Sequence, residues 1–256
     1  MPLILVTNDD GIHAAGIAAL ADALTELGEV WVVAPEREQS ACGHALTLHR
    51  PVRAVEMSER RFAVNGTPSD CVNLGVLGFL PETPVLVASG INHGGNLGDD
   101  VTYSGTVSAA MEATLLGVPA IAVSLLDGGN LADAAAAARL VAMRVLVDRL
   151  PPKTLINVNV PPQTPKGIRL ARLGHRVYSD KIVEQQDPRG RSHYWLGGGE
   201  PAWGALDGTD MGAIHDGYVS VSPVQLDLTN HGALARLADW GPALTAQLKG
   251  ARDRRR

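Results

Sequence analysis

A chain of 256 residues, 45% hydrophobic and only 4% aromatic, can bury a full core of small aliphatic side chains packed closely on a sheet. Its net charge of −5 excludes a general nucleic-acid binder, since the one basic run, Arg252-Asp253-Arg254-Arg255-Arg256, is too short for a binding groove and reads as a solvated tail. Two cysteines make no disulfide framework, and neither a membrane span of roughly 18 apolar residues nor a signal peptide is present, so a cytoplasmic protein is expected.

Residues 3–6 (L-I-L-V) form a continuous apolar run, as in a strand covered on both faces. Ile17, Leu20, Leu24 and Leu27 then share one face of a helix, which Gly28 stops. Residues 30–33 (V-W-V-V) make the second strand. Residues 51–64 break the rhythm with a charged turn, Ser58-Glu59-Arg60-Arg61, flanked by Val55 and Phe62, which predicts a hairpin. Residues 84–88 (P-V-L-V-A) and 119–123 (P-A-I-A-V) repeat the strand pattern, and Val107, Met111 and Leu115 between them fall on one helical face. An Ala-rich helix over 132–150 and a strand over 155–160 follow. The alternation predicts an α/β fold with a mostly parallel, doubly wound (Rossmann-like) sheet and right-handed crossovers.

Residues 174–216 are polar, Gly-rich and irregular, yet carry Tyr178, Tyr194, Trp195 and Trp203. Large aromatics are costly to leave in water, so this stretch is expected to be an oligomerisation arm, or else a lid over the chain's own site. Residues 218–222 (Y-V-S-V-S) alternate as a strand, and a last helix begins near His231. No repeat or linker divides the chain, so residues 1–256 are expected to form one domain from which a C-terminal hairpin arm protrudes.

Ligand sites of open α/β sheets lie beyond the carboxyl ends of the strands. The most polar segments fall there: Thr7-Asn8-Asp9-Asp10-Gly11, then Pro35-Glu36-Arg37-Glu38-Gln39-Ser40, then the run from Ser89 through Asn92 to Asp100. The adjacent carboxylates Asp9 and Asp10 demand a counter-charge. Hard oxygen donors of this kind suit Mg²⁺ or Mn²⁺, with a serine hydroxyl or asparagine carbonyl completing the shell. The plainer reading makes the two aspartates Asx-turn or helix-capping residues. Gly94, Gly95 and Gly98 let backbone N–H groups approach an anion, and Ser104-Gly105-Thr106 opens a helix whose N-terminus favours phosphate. An ordinary Gly-rich loop with Ser104 as N-cap is the alternative. There is no G-x-G-x-x-G after a strand, no G-x-S-x-G and no H-E-x-x-H. Residues 11–16 keep the P-loop glycine spacing, but Ile17-Ala18 replaces the required Lys-Ser/Thr. His44 and His49, five apart, share no helical face, and Cys42 and Cys71 read as packed thiols.

Val6-Thr7-Asn8-Asp9-Asp10-Gly11 resembles the N-D-D-G opening of the SurE family of survival-protein nucleotidases. Gly66-Thr67-Pro68-Ser69-Asp70-Cys71-Val72 resembles its G-T-P-x-D-C-V segment. Ser89-Gly90-Ile91-Asn92, with Gly94, Asn96, Gly98-Asp99-Asp100 and Tyr103-Ser104-Gly105-Thr106-Val107, resembles its long central run. Thr209-Asp210 and Gly217-Tyr218-Val219-Ser220-Val221 resemble its late T-D and G-Y-V-S-V elements, so the resemblance spans nearly the whole chain.

The resemblance implies a metal-dependent phosphomonoesterase acting on nucleoside 5′- and 3′-monophosphates, with short polyphosphate as a further substrate. It implies one divalent cation, Mg²⁺ or Mn²⁺, on Asp9, Asp10, Ser40 and Asn92, with Asp9 and Asp10 catalytic. Ser40 departs most from the pattern, because the family's S-G-x-S is here Ser40-Ala41-Cys42-Gly43. Asn96, Ser104, Gly105 and Thr106 are the candidates for holding phosphate oxygens. A homodimer or homotetramer with an exchanged segment is implied, with no nucleic-acid polymer or membrane as partner. A phosphate-ligand sensor and a sugar-phosphate transferase are the rival readings of the same rim.

Overall fold

The N-terminal apolar run becomes β1 (Leu3–Thr7), buried from end to end. The computed structural model describes residues 1–177, 182–196, 202–204 and 206–253, so Tyr178 and Arg254, Arg255 and Arg256 lie outside the described residues. Period two divides the run between two faces. Ile4 and Val6 pack with Ile17, Leu20 and Leu24 of α1 (Ala15–Leu24), whereas Leu5 points the other way, against Gly75. Each such fully buried Leu or Ile contributes about 1.5–3 kcal/mol.

The chain continues through β2 (Glu29–Pro35), β3 (Ala54–Ser58), β4 (Arg61–Val64), α2 (Pro68–Leu74), β5 (Leu86–His93), α3 (Gly105–Leu115), β6 (Ala120–Leu125), α4 (Leu131–Asp148) and β7 (Thr154–Val160). After β8 (Ile168–Leu170) come β9 (Arg176–Val177), β10 (Ile182–Gln186), β11 (Ser192–Leu196), β12 (Ala202–Trp203), α5 (Asp210–His215) and β13 (Val219–Gln225). Among the described residues, nine strands form one sheet in the order β3-β4-β2-β1-β5-β6-β7-β13-β8. Pairing is parallel from β4 through β2, β1, β5 and β6 to β7, and β3 closes the edge as the antiparallel hairpin partner of β4. The fold is the mostly parallel α/β sheet that the alternation of strands and helices predicts. Small residues at Ala134, Ala137, Ala138 and Ala142 let α4 lie close to the same core face as α1.

Helix α2 has no counterpart among the sequence expectations. Seven residues are too few to show a hydrophobic period, and its start is signalled by capping chemistry alone. Thr67 accepts from Asp70 N, the Asp70 carboxylate accepts from Thr67 N, and Pro68 takes the first turn. The same residues grip residues 36–53, which contain no strand or helix: Asp70 Oδ1 accepts from Thr47 N at 2.9 Å, and Thr67 Oγ1 donates to Ala45 O at 2.7 Å.

Residues 174–216 are more regular than their composition indicates. β10 and β11 form an antiparallel hairpin, β9 pairs with β12, and α5 follows. The hairpin side chains, Ile182, Tyr194 and Trp195 among them, are exposed, so no buried face imposes the alternation that would mark a strand. The chain forms two compact units, Met1–Val224 and Gln225–Arg256. The second holds α6 (His231–Arg236), capped by Asn230, and α7 (Trp240–Asp253), which carries exposed Trp240, Leu244 and Leu248. Among the described residues, no helix is long and apolar enough to cross a membrane.

Candidate active site

Strand β1 has β2 on one side and β5 on the other, so the sheet changes winding direction between β1 and β5, where a crevice opens beyond the strand ends. Both aspartates follow β1, and Asn92 lies at the end of β5, just past a register irregularity between Ser89 and Asn92. The turn after β1 is held by Asn8, whose Nδ2 donates to Gly11 O at 2.9 Å.

Asp9 is only 4% exposed. Its carbonyl accepts from Gln39 N at 2.7 Å, tying the loop after β2 to the loop after β1. Its Oδ1 accepts from Thr106 Oγ1, at the start of α3. A Cβ at position 105 would lie 2.8 Å from both Asp9 Cβ and Oδ2, so glycine alone lets α3 seat its N-terminus against this carboxylate. Asp10 is half-buried, and its Oδ2 accepts from His93 N at 3.1 Å. Asn92 donates from its amide nitrogen to Gly94 O at 2.8 Å. Ser40 is exposed and donates from Oγ to Glu38 Oε1 at 2.7 Å.

Asp10 and Ser40, from two loops, and Asn92, from the end of β5, thus come to the wall of one cavity of about 630 Å³, which Glu38 and His93 also line. Ala14, Leu125, Leu126 and Leu131 give it an apolar side. Asp9 stands behind this wall, against α3. Glu38, in the polar rim segment after β2, and the β6–α4 turn also line the cavity, though the sequence reading gave neither a role. The acidic lead-in to Ser40 signals the first; nothing local signals the second.

The four phosphate candidates do not belong to the cavity wall. Ser104 Oγ accepts from Val107 N at 3.1 Å and so caps α3, while Thr106 faces Asp9 with Gly105 beside it. Asn96 is buried, donating from Nδ2 to Ser124 Oγ at 2.7 Å, with its main chain held by Asn157 and Asn159.

Burial pushes the Asp9 carboxyl above its ordinary value; the Thr106 hydroxyl opposes this and the neighbouring Asp10 reinforces it. Asp10 is also raised, by burial first, against the His93 backbone N–H, with Glu38 adding to the rise. No lysine or arginine is among the groups acting on either carboxylate. Between the ordinary carboxylate range and the raised values, the folded chain binds more protons than the unfolded one. The stability contributed by the protonated pair is therefore complete below the unfolded pKa and lost as pH rises through the folded one. We expect the denaturation midpoint of chelator-treated protein to fall across that window, and Asp9→Asn to flatten the fall. Parallel pH profiles for the two proteins would contradict this.

The donors fit a hard divalent cation. Two carboxylates that, among the described residues, have no lysine or arginine acting on them share one rim with an amide oxygen and a hydroxyl. Among the described residues, no cluster of three or more His, Cys, Asp or Glu forms a metal site, so neutral oxygens must complete any shell built on Asp9 and Asp10.

The sheet and its rim define a Rossmann-like α/β protein with an acidic pair at the winding switch and a helix N-terminus behind it. The chain belongs to the Survival protein SurE family, whose model matches residues 4–180. It is 58% identical over 243 residues to a 5′-nucleotidase SurE of Syntrophotalea carbinolica, covering 93% of this chain and 97% of that one. It is 55% identical to a 5′-nucleotidase SurE of Geobacter sulfurreducens, covering 93% of each. The crystal structure of a SurE protein from Aquifex aeolicus superposes with a TM-score of 0.82 at 41% identity, covering 93% of this chain and 99% of that one.

Proposed function

We propose that this chain is a metal-dependent phosphomonoesterase that hydrolyses nucleoside 5′- and 3′-monophosphates. The observation that carries the reading is the meeting of Asp10, Ser40 and Asn92 on one cavity wall at the switch point, with Asp9 behind it and no lysine or arginine among the groups acting on the two carboxylates. Similarity to proteins named 5′-nucleotidase SurE supports the substrate class. Asp9, Asp10, Ser40 and Asn92 would hold one Mg²⁺ or Mn²⁺, which would supply Lewis-acid stabilisation of the transferring phosphoryl group. Asp9, pinned by Thr106, holds its carboxylate at a fixed point. Asp10, half-buried on the cavity wall, is placed to orient the attacking water and take its proton. The N-terminus of α3, at Ser104, Gly105 and Thr106, holds phosphate oxygens by its N–H groups.

The nucleoside lies along Ala14, Leu125, Leu126 and Leu131. Among the described residues no aromatic ring apart from His93 lines this wall, so the base is read loosely. We expect kcat/KM to vary by less than about tenfold among the common bases, or roughly 1.4 kcal/mol. Short polyphosphate is expected to be the poorer substrate, because its charged leaving group would face Glu38. Phosphate release across nucleoside monophosphates, a sugar phosphate and tripolyphosphate, with and without chelator, tests the reading. Release that persists after exhaustive chelation would refute it, and a preference for the sugar phosphate would reassign the substrate.

We further propose that residues 174–216 are an oligomerisation arm joining two or four copies. Support comes from the exposed Ile182, Tyr194 and Trp195 on the β10–β11 hairpin. Replacing residues 182–196 by a short turn should lower the mass measured by light scattering. An unchanged mass leaves the lid reading in its place.

A further inference from the structure

The segment 36–53 carries Ser40 but forms no strand or helix, so Ser40 stays in place only where other elements grip the segment. Just before Ser40, Gln39 N donates to Asp9 O. After it, Gly43 N donates to Tyr103 O at 3.2 Å, next to the cap of α3. The first side-chain grip is His44, whose Nε2 lies 2.6 Å from Glu112 Oε2. Glu112 is 7% exposed, and its other oxygen accepts from Asn73 Nδ2 at 2.7 Å. It is the one charged residue of α3, a helix buried along most of its length.

A carboxylate in such a place is costly to desolvate, and an apolar side chain would fill the same space at lower cost. Its two oxygens are spent on α2, through Asn73, and on the Ser40 segment, through His44. The first turn of the same helix holds Asp9 through Thr106. One rigid element therefore sets both halves of the ligand group, Asp9 at its start and the Ser40 segment two turns on. Asp70 and Thr67 grip the segment further along, at Thr47 and Ala45.

We propose that Glu112 is a positioning residue: through His44 it keeps Ser40 in register with Asp9 and Asp10. This rests on the cation reading given above.

The test uses the full chain and Mn²⁺ itself, with binding measured by calorimetry. His44→Ala is expected to weaken Mn²⁺ binding about tenfold, as loss of an outer-shell partner does at metal sites. It should also speed amide exchange across residues 40–47. Glu112→Gln still accepts from Asn73, so α3 stays packed; it loses the charge facing His44 and should reproduce the His44→Ala loss. In a Ser40→Ala background neither change should weaken binding by more than about twofold further, because the ligand they position is gone. Equal losses with and without the Ser40 hydroxyl overturn the proposal. So does wild-type binding in either His44→Ala or Glu112→Gln. Asp9→Asn checks the cation separately. Wild-type Mn²⁺ binding in Asp9→Asn removes the cation reading and this proposal with it, whereas its loss there beside unchanged binding in His44→Ala overturns this proposal alone.

Discussion

Asp9→Asn is expected to lower kcat/KM for a nucleoside monophosphate by about 10³-fold or more, a loss of roughly 4 kcal/mol in transition-state stabilisation. The substitution changes charge and almost nothing else. An asparagine Oδ1 still accepts from the Thr106 hydroxyl, and Gly105 leaves the same space beside the side chain. The fold should therefore survive. With burial raising the Asp9 carboxyl above its ordinary value, the neutral side chain should make the chelated protein more stable at neutral pH than wild type. Activity and stability are thus predicted to move in opposite directions at one residue, which a general packing defect cannot produce. Phosphate release at saturating Mn²⁺, beside a denaturation midpoint in chelator, checks both. Turnover within tenfold of wild type would remove Asp9 from the mechanism; a collapsed midpoint would make its role structural.

The parts of this site that the sequence disclosed are those with a local signature. Asp9 and Asp10 end an apolar run, Asn92 ends another, and the sheet brings both runs side by side, so their convergence follows from the fold class alone. The P-loop spacing of residues 11–16 also resolves locally. Gly16 is glycine because a Cβ there would lie 2.0 Å from Ile91 O, so it serves the packing of α1 on β5. Long-range pairs left no such trace. His44 reads in sequence as an unremarkable histidine near His49, and Glu112 as one acidic residue in a helix, yet they meet across 68 positions. The hairpin arm was expected and β10–β11 form it, but periodicity could not place its strands: exposed strands have no buried face, and periodicity reports burial, not hydrogen bonding. Asp210 combines both problems. Its Thr-Asp signature was visible only as a likeness, and its partners come from distant loops.

That residue carries the other large effect. Asp210 is fully buried, and its carboxylate accepts from three backbone N–H groups: Gly98 at 2.7 Å, Gly174 at 2.8 Å and Met211 at 2.9 Å. Gly98 ends the loop that begins at Asn92, and Gly174 opens the stretch assigned above to the arm. At Gly98 a Cβ would lie 2.7 Å from Gly174 O, so the two backbones pass too closely for a side chain to replace the carboxylate as a spacer. Asp210→Ala leaves three donors without their acceptor, each costing about 1–3 kcal/mol where water cannot reach, so a loss of about 3–5 kcal/mol is expected. Asp210→Asn should fall between the two, since one oxygen remains while an amide N–H₂ faces a donor it cannot accept from. Urea midpoints of the three proteins give this order directly. Loosening Gly98 should also reach the chemistry, because the loop from Asn92 to Gly98 supplies a proposed cation ligand and precedes the cap of α3. At temperatures where Asp210→Asn remains folded, kcat/KM is expected to fall about tenfold or more, while amide exchange rises across residues 94–98. If the midpoint of Asp210→Ala stays within about 1 kcal/mol of wild type, the carboxylate is not the clasp that holds this loop.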